Sequence, residues 1–212
     1  MYISQVEIDI NNRKKMAELN HLGAYHSWVE NSFPDEIKRN ERTRKLWRID
    51  NILGKKKLLV VSEKKPDKEA FEKYGVKDSS ATKDYSGYIN SLDMSKTMKF
   101  RATLNPVISV KSDDRQRGRV FPHVTVEQQM NYIINLAMRN GFTIDKSNLE
   151  ITKRSFEKLK KTNQKTIDIS KVTFEGLLNV NDKEKFIEVL EEGIGKKKAY
   201  GCGLLTVIPT GR

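Results

Sequence analysis

The chain has 212 residues, 37% hydrophobic and 32% charged, enough for one large domain or two of about 100 residues. Lys and Arg outnumber Asp and Glu by 40 to 28, a formal net charge of +12, which points to a polyanionic partner and to nucleic acid ahead of membrane. A single cysteine excludes an internal disulfide framework and suits a reducing cytoplasm; the alternating, acid-bearing N-terminus is no signal peptide, and no apolar run nears the roughly 20 residues of a membrane span.

Residues 2–10 alternate, with Tyr2, Ser4, Val6, Ile8 and Ile10 on one face, and read as a half-buried strand. Asn11 or Asn12 can cap a helix whose apolar positions are Met16, Leu19, Leu22, Tyr25 or His26, Val29 and Phe33, with its end marked by Pro34. A basic stretch follows, with Lys38, Arg39, Arg42, Arg44 and Lys45. Residues 46–51 and 57–63 read as a strand pair turned at Gly54, and Pro66-Asp67 opens a short helix ended by Gly75. Residues 76–95 lack periodicity and read as a loop; residues 96–104 alternate again, with Met98, Phe100, Ala102 and Leu104 on one face.

Asn105-Pro106 breaks that strand and divides the chain into an N-terminal domain, 1–105, and a C-terminal domain, 106–212. The second half opens on a short strand, 107–110. A helix over 126–140 follows, with a Thr125/Gln128 capping box and Gly141 as its stop. Residues 142–152 and 166–180 read as two long strands, joined by a segment, 153–165, with six bases and one acid. A helix capped by Asn181 or Asp182, a glycine-rich loop and a strand over 204–208 complete it. Each half reads β-α-β-β-α-β. The expected fold class is α+β: tandem ferredoxin-like (RRM-like) domains, each a four-stranded antiparallel sheet backed by two helices, the frame of RNA-recognition modules.

The glycine-rich loop packs Gly193, Gly195, Gly201 and Gly203 and the run Lys196-Lys197-Lys198 into eleven residues. Glycine permits positive φ and close backbone approach, and lysines beside it offer point charges to phosphates. Read alone, the stretch fits a phosphate cradle and a helix cap with a solvated turn equally well. The usual metal signatures are missing: there are three histidines, one cysteine, and no Cys-x-x-Cys or His-Glu-x-x-His spacing, so neither a metal nor a cofactor is expected. His26 lies on or beside the apolar stripe of the first helix. Read alone it is a packed helix–sheet histidine; its ordinary pKa of about 6.5 also suits proton transfer near neutrality. RNA brings its own nucleophile, the 2′-hydroxyl, so a histidine, a second polar group and a cationic loop suffice for a metal-free ribonuclease. The basic segment 153–165 reads as a solvated hairpin tip or as an arm following the phosphates of an RNA duplex.

At Phe174-Glu175-Gly176-Leu177-Leu178, and from Gly193-Ile194-Gly195 through Gly201-Cys202-Gly203 to Pro209, the sequence resembles the CasE family, the repeat endoribonucleases of CRISPR type I-E systems. Met1-Tyr2-Ile3-Ser4, His26 followed by Phe33-Pro34, and Phe100-Arg101-Ala102-Thr103-Leu104-Asn105-Pro106 agree with it in order and spacing. The resemblance implies a metal-independent endoribonuclease that binds the stem-loop of CRISPR repeat RNA and cuts the precursor at the 3′ base of the stem. The cut leaves a 2′,3′-cyclic phosphate and a 5′-hydroxyl, and the protein stays on the product as a Cascade subunit. The family's catalytic histidine falls on His26. Some members carry a tyrosine three residues earlier, where this chain has Gly23, so Tyr25 is the candidate helper. The family's basic hairpin falls on Lys153, Arg154, Lys158, Lys160 and Lys161, taken as a group. Together with Gly193, Gly195, Lys196, Lys197 and Lys198 these are the candidate RNA-binding residues. The expected partners are repeat RNA and other Cascade subunits, with no membrane and a monomer when free. The alternative is a non-catalytic RNA-binding subunit of a ribonucleoprotein, which would shift repeat RNA without cutting it.

Overall fold

The computed structural model describes residues 1–111, 118–160 and 165–210. In chain order, the first unit contains strand β1 (Tyr2–Glu7), helices α1 (Arg13–Glu18), α2 (Leu22–Asn31) and α3 (Pro34–Lys38), strands β2 (Lys45–Ile52) and β3 (Lys55–Ser62), helix α4 (Lys68–Glu72) and strand β4 (Ala81–Asp84). Its sheet is antiparallel, in the order β2-β3-β1-β4. The β2–β3 hairpin turns on two residues, Leu53 and Gly54, both at positive φ, the geometry that matches strand twist across a two-residue turn. Leu53 is 97% exposed at the tip, so the turn and not burial fixes it there.

After helix α5 (Tyr85–Asn90), the second unit runs β5 (Met98–Leu104), a small hairpin of β6 (Val107–Val110) and β7 (Arg119–Pro122), α6 (Val126–Arg139), β8 (Phe142–Ile144), β9 (Glu150–Leu159), β10 (Ile167–Val180), α7 (Lys183–Glu192) and β11 (Leu205–Pro209). Its sheet order is β11-β5-β10-β8, with β9 also paired to β10. Both sheets therefore carry the four-strand order of a ferredoxin-like βαββαβ unit. Thr125 and Gln128 form the expected capping box at the head of α6, and Asp182 caps α7. The second core gathers Phe100, Phe142, Phe174 and Phe186 beneath α6 and α7; the first gathers Trp28, Trp47, Val60 and Phe71 beneath α2 and α4. Among the described residues no helix is long and apolar enough to cross a membrane.

Several boundaries differ from the sequence reading. The strand at Met98–Leu104 belongs to the second sheet, between β10 and β11, so the sheets divide ahead of it and not at Asn105. The first sheet takes its fourth strand from Ala81–Asp84 instead, inside the stretch read as a loop. All four residues of that strand are exposed and only its β1 side is paired, so it has no apolar alternation to announce it. Val107–Val110, expected to open the second sheet, pairs among the described residues with Arg119–Pro122 alone. The single first helix is two: Asn20 turns its side-chain amide onto the Ala17 carbonyl, and His21 is extended. Pro34 opens α3 at its first turn.

β2 joins the units. The Trp47 indole N–H donates to the Ala199 carbonyl at 3.1 Å, and the Arg48 guanidinium donates to the carbonyls of Arg101 (2.8 Å) and Leu204 (3.0 Å) and to the Thr206 hydroxyl (2.9 Å). Asp50 holds the same guanidinium through two bonds of 2.8 Å. The glycine-rich loop lies against this strand. A Cβ at Gly201 would sit 2.6 Å from the Trp47 ring, and one at Gly193 2.6 Å from Leu46. Both glycines hold φ of +73°, so backbone conformation and space demand the same residue. Gly201→Ala is therefore expected to cost about 1–3 kcal/mol by overpacking. Urea unfolding reads this, and a loss below about 0.5 kcal/mol, the range of an ordinary surface change, would contradict the fit.

Candidate active site

α2 is amphipathic in a narrow sense: Leu22, Tyr25, Trp28 and Val29 are buried, and His26 stands on the flank with its side chain 32% exposed. Successive helical residues are about 100° apart, so Tyr25 and His26 face different ways. Tyr25 stacks on Trp47 at 6.0 Å and lines a small cavity of about 130 Å³ with Lys153, Glu157 and Lys171. Burial, then the Glu157 carboxylate, push its phenol above the ordinary range. The structure thus places the Tyr25 side chain away from the His26 cleft. The tyrosine that meets His26 is Tyr200, from the glycine-rich loop, with ring centroids 5.7 Å apart and the rings edge to face.

His26 opens into a cleft of about 540 Å³, with Glu30, Arg42, Lys45, Glu192 and Ala199 in its walls. The first three come from the N-terminal unit and the last two from the C-terminal one, so the cleft exists only because the units are docked. The Glu30 carboxylate, one turn further along α2, lies 3.9 Å from His26 Nδ1. Lys45 forms the floor. It is 1% exposed at its side chain and donates to Glu36 at 2.6 Å, with Glu30 at 3.5 Å and the Phe33 ring beneath it at 4.9 Å. Burial works to raise the Glu36 carboxyl, but the hydrogen bonds from Lys45 and Thr43 outweigh it and hold the group below the usual range. For His26, burial lowers the imidazole pKa; Glu30 pulls it up, and the positive charges of Arg42 and Lys45 push it down again. The net effect is an imidazole pKa below the ordinary histidine range, which favours the neutral ring.

The lysines of the loop divide by contact. Lys198 donates to the Glu192 carbonyl at 2.8 Å, at the C-terminal end of α7, and burial lowers its pKa first, then Arg44. Lys197 takes the left-handed conformation at φ +63° and sets its ammonium 6.0 Å from the Tyr200 ring centre. Lys196 is exposed. Gly193 and Gly201 seat the loop against Leu46 and Trp47, and Gly195, at φ +79°, faces the Tyr132 hydroxyl. The glycines act here as close-packing positions that hold Ala199 and Tyr200 opposite His26.

The basic hairpin is longer than its sequence suggested. β9 runs to Leu159, so Lys153, Arg154 and Lys158 sit on a strand and not in a loop. Cross-strand pairing puts Arg154 opposite Val172 and Lys158 opposite Asp168, and puts Lys153 on the other face opposite Thr173. The Arg154 guanidinium donates to the Val124 carbonyl. Leu159 and Ile169, 1% and 4% exposed, anchor the hairpin in the first core beside α2. The Lys160 carbonyl crosses α2 at Gly23, where an added Cβ would lie 3.1 Å from that oxygen and 2.8 Å from the His21 ring. Position 23 has no room for a tyrosine without displacing these groups. Lys161 lies outside the described residues. Hairpin and cleft therefore flank one helix, the first at Gly23 and the second at His26.

Glu30, Arg42, Lys45 and Tyr200 were in view as sequence but not assigned. Glu30 had a signal in its four-residue spacing from His26. Arg42 and Lys45 were part of an undifferentiated basic stretch, and Tyr200 required the docking of the two units.

The match to known proteins spans the chain. The model of the family described as CRISPR associated protein covers residues 1–209. The Cascade subunit CasE of Escherichia coli K12 is 46% identical over 41 residues, which is 19% of this chain and 21% of CasE, so that match spans about a fifth of the relative. The solved structure of the CRISPR endoribonuclease Cse3 bound to a 19-nucleotide RNA aligns over 99% of this chain and 100% of its own, with 21% identity and a TM-score of 0.81. Thermus thermophilus Cse3, bound to an RNA representing a pre-cleavage complex, aligns over 98% of both chains with 20% identity and a TM-score of 0.79. At those identities the structures establish the shared fold, and the family model establishes kinship: the chain belongs to the CasE family of CRISPR-associated proteins.

Proposed function

We propose that the chain is a CRISPR repeat endoribonuclease. It binds the stem-loop of the repeat, cuts the precursor transcript at the 3′ base of the stem, and remains on the product as a Cascade subunit. Family membership supports this reading, as do the similarity to Cse3 structures described with bound RNA and the match to a Cascade subunit. The observation that carries the catalytic part is the setting of His26: a half-buried imidazole at the mouth of a two-unit cleft that also holds Arg42, Arg44 and Lys45.

In this reading the neutral imidazole takes the proton of the 2′-hydroxyl. The 2′-oxygen attacks the adjacent phosphorus, the bond from phosphorus to the 5′-oxygen breaks, and the leaving oxygen takes up a proton. The products are a 2′,3′-cyclic phosphate and a 5′-hydroxyl, with no net change in protons. The extra negative charge on the phosphorane is met by the positive potential of the cleft. Lys153, Arg154, Lys158 and Lys160, with Lys196 and Lys197, are proposed to contact the phosphates of the stem, as is Lys161. No metal is needed for this chemistry.

His26→Ala is expected to lower the single-turnover cleavage rate by about 10²–10⁴ while leaving affinity for the repeat stem-loop near the parent's. An unchanged rate would remove His26 from the reaction, and intact RNA shifted by the parent protein would favour the non-catalytic binding subunit. Excess EDTA is expected to leave the rate unchanged, and mass analysis of the fragments to show cyclic phosphate ends; a strict Mg²⁺ requirement would refute the metal-free step. Binding should weaken steeply with salt, and Lys158→Gln should lower the slope of log affinity against log salt by about 1. A slope identical to the parent's would exclude Lys158 from phosphate contact.

A further inference from the structure

The cleft around His26 holds several cations, and their existing partners separate them. Lys45 is buried and held between Glu36 and Glu30, so its charge is already committed to two carboxylates. Arg44 faces Glu192 at 3.5 Å. Lys198, outside the cleft walls, donates to the Glu192 carbonyl. Arg42 is exposed, sits in the cleft wall beside His26, and makes no ion pair with a carboxylate among the described residues. It stands in the linker between α3 and β2, whose other end is fixed by the buried Lys45–Glu36 bond and by Thr43, which donates to Glu36 at 2.7 Å. The linker is thus pinned at Thr43, the residue next to Arg42, and again at Lys45, while the guanidinium itself has no carboxylate partner among the described residues. A guanidinium offers a planar fork of donors that matches two phosphate oxygens, with no carboxylate to displace first.

We propose that Arg42 is a catalytic residue of this site, placing its guanidinium on the non-bridging oxygens of the scissile phosphate as negative charge builds there. The inference rests on the ribonuclease reading above. The arrangement gives Arg42 a second effect. The groups facing His26 are Glu30 on its own helix, Arg42 and Lys45 from the next segment, and the Tyr200 ring from the glycine-rich loop, with Glu63, Arg44 and Glu192 further along the walls. Of these, Arg42 is an exposed positive charge that favours the neutral imidazole. Removing it should therefore move the acid limb of the rate profile to higher pH, because Glu30 then meets less opposition in holding the proton on the ring.

The test is single-turnover cleavage of the chain's own CRISPR repeat RNA, at saturating protein and across pH, for the parent, Arg42→Gln, Arg42→Lys and His26→Ala. Arg42→Gln is expected to lower the saturated rate by about 10²-fold, the low end for loss of one preorganised donor, and to shift the acid limb upward. Arg42→Lys keeps the charge without the fork, and should restore the position of the limb while recovering only part of the rate. Arg42 is exposed, so circular dichroism and urea unfolding should match the parent. A saturated rate equal to the parent's in Arg42→Gln, or a loss abolished by saturating protein, overturns the catalytic assignment. If His26→Ala is slow in the same experiment, the ribonuclease reading stands without Arg42; if His26→Ala is also fast, both fall.

Discussion

The structure depends on one strand edge. β2 sends Trp47 toward α2 and Arg48 into the second sheet, and each is tied to the C-terminal segment by hydrogen bonds that cross more than 150 residues of sequence. Arg48 is 3% exposed and saturated with partners, and Asp50 beside it also lies 3.6 Å from Arg101. A buried ion pair of this kind contributes little net stability, because desolvation offsets much of the attraction; what it enforces is geometry, since any other docking leaves a charge buried and unpaired. Trp47 supplies the apolar half of the junction. Gly201 and the Tyr25 ring both pack against the Trp47 ring and fix how closely the loop and the helix approach.

That docking creates the site. His26 is contributed by a helix of one unit and Tyr200 by a loop of the other, and they touch only because Ala199 is held on the Trp47 indole. The electrostatics follow from the same closure. Burial alone favours a neutral imidazole, Glu30 opposes it, and the cations of the linker tip the balance back. Lys45 and Glu36 neutralise each other at the floor, which leaves the accessible positive charge at the rim, where a polyanion can reach it. A neutral ring beneath a cationic rim is suited to removing a proton next to a phosphate, whereas a charged ring in the same place would bind the phosphate and do no base chemistry.

The hairpin uses the same logic over a longer distance. Leu159 and Ile169 bind it to the first unit while its strands belong to the second, so it is a second clamp across the junction as well as a basic surface. It meets α2 at Gly23, one helical turn from His26. Whatever lies along the hairpin is thereby registered against the cleft through a rigid helix rather than a loop.

Periodicity and composition made the fold class legible: alternation marked Tyr2–Glu7 and Met98–Leu104, the Gly54 turn marked the central hairpin, Asn11 or Asn12, Thr125, and Asn181 or Asp182 marked helix starts, and the net charge of +12 indicated a polyanion. These signals are local; they left His26 open between a packed and a proton-transfer role, and resemblance to a family favoured the second. Sheet membership was not local. Met98–Leu104 has the pattern of a buried strand in either unit, and only its register with β10 and β11 assigns it. The edge strand at Ala81–Asp84 carries no apolar residue larger than alanine and was invisible until β1 paired with it. The same holds for the site. The sequence by itself determined a histidine on a helix, a glycine-rich loop and an excess of bases. The tertiary structure alone decided that Tyr25 turns away and Tyr200 turns in, that the glycines close on Leu46 and Trp47, and that among the described residues Arg42 has no carboxylate partner while Lys45 has two, because contact between distant segments follows from packing and charge neutralisation in three dimensions, and no spacing along the chain encodes it.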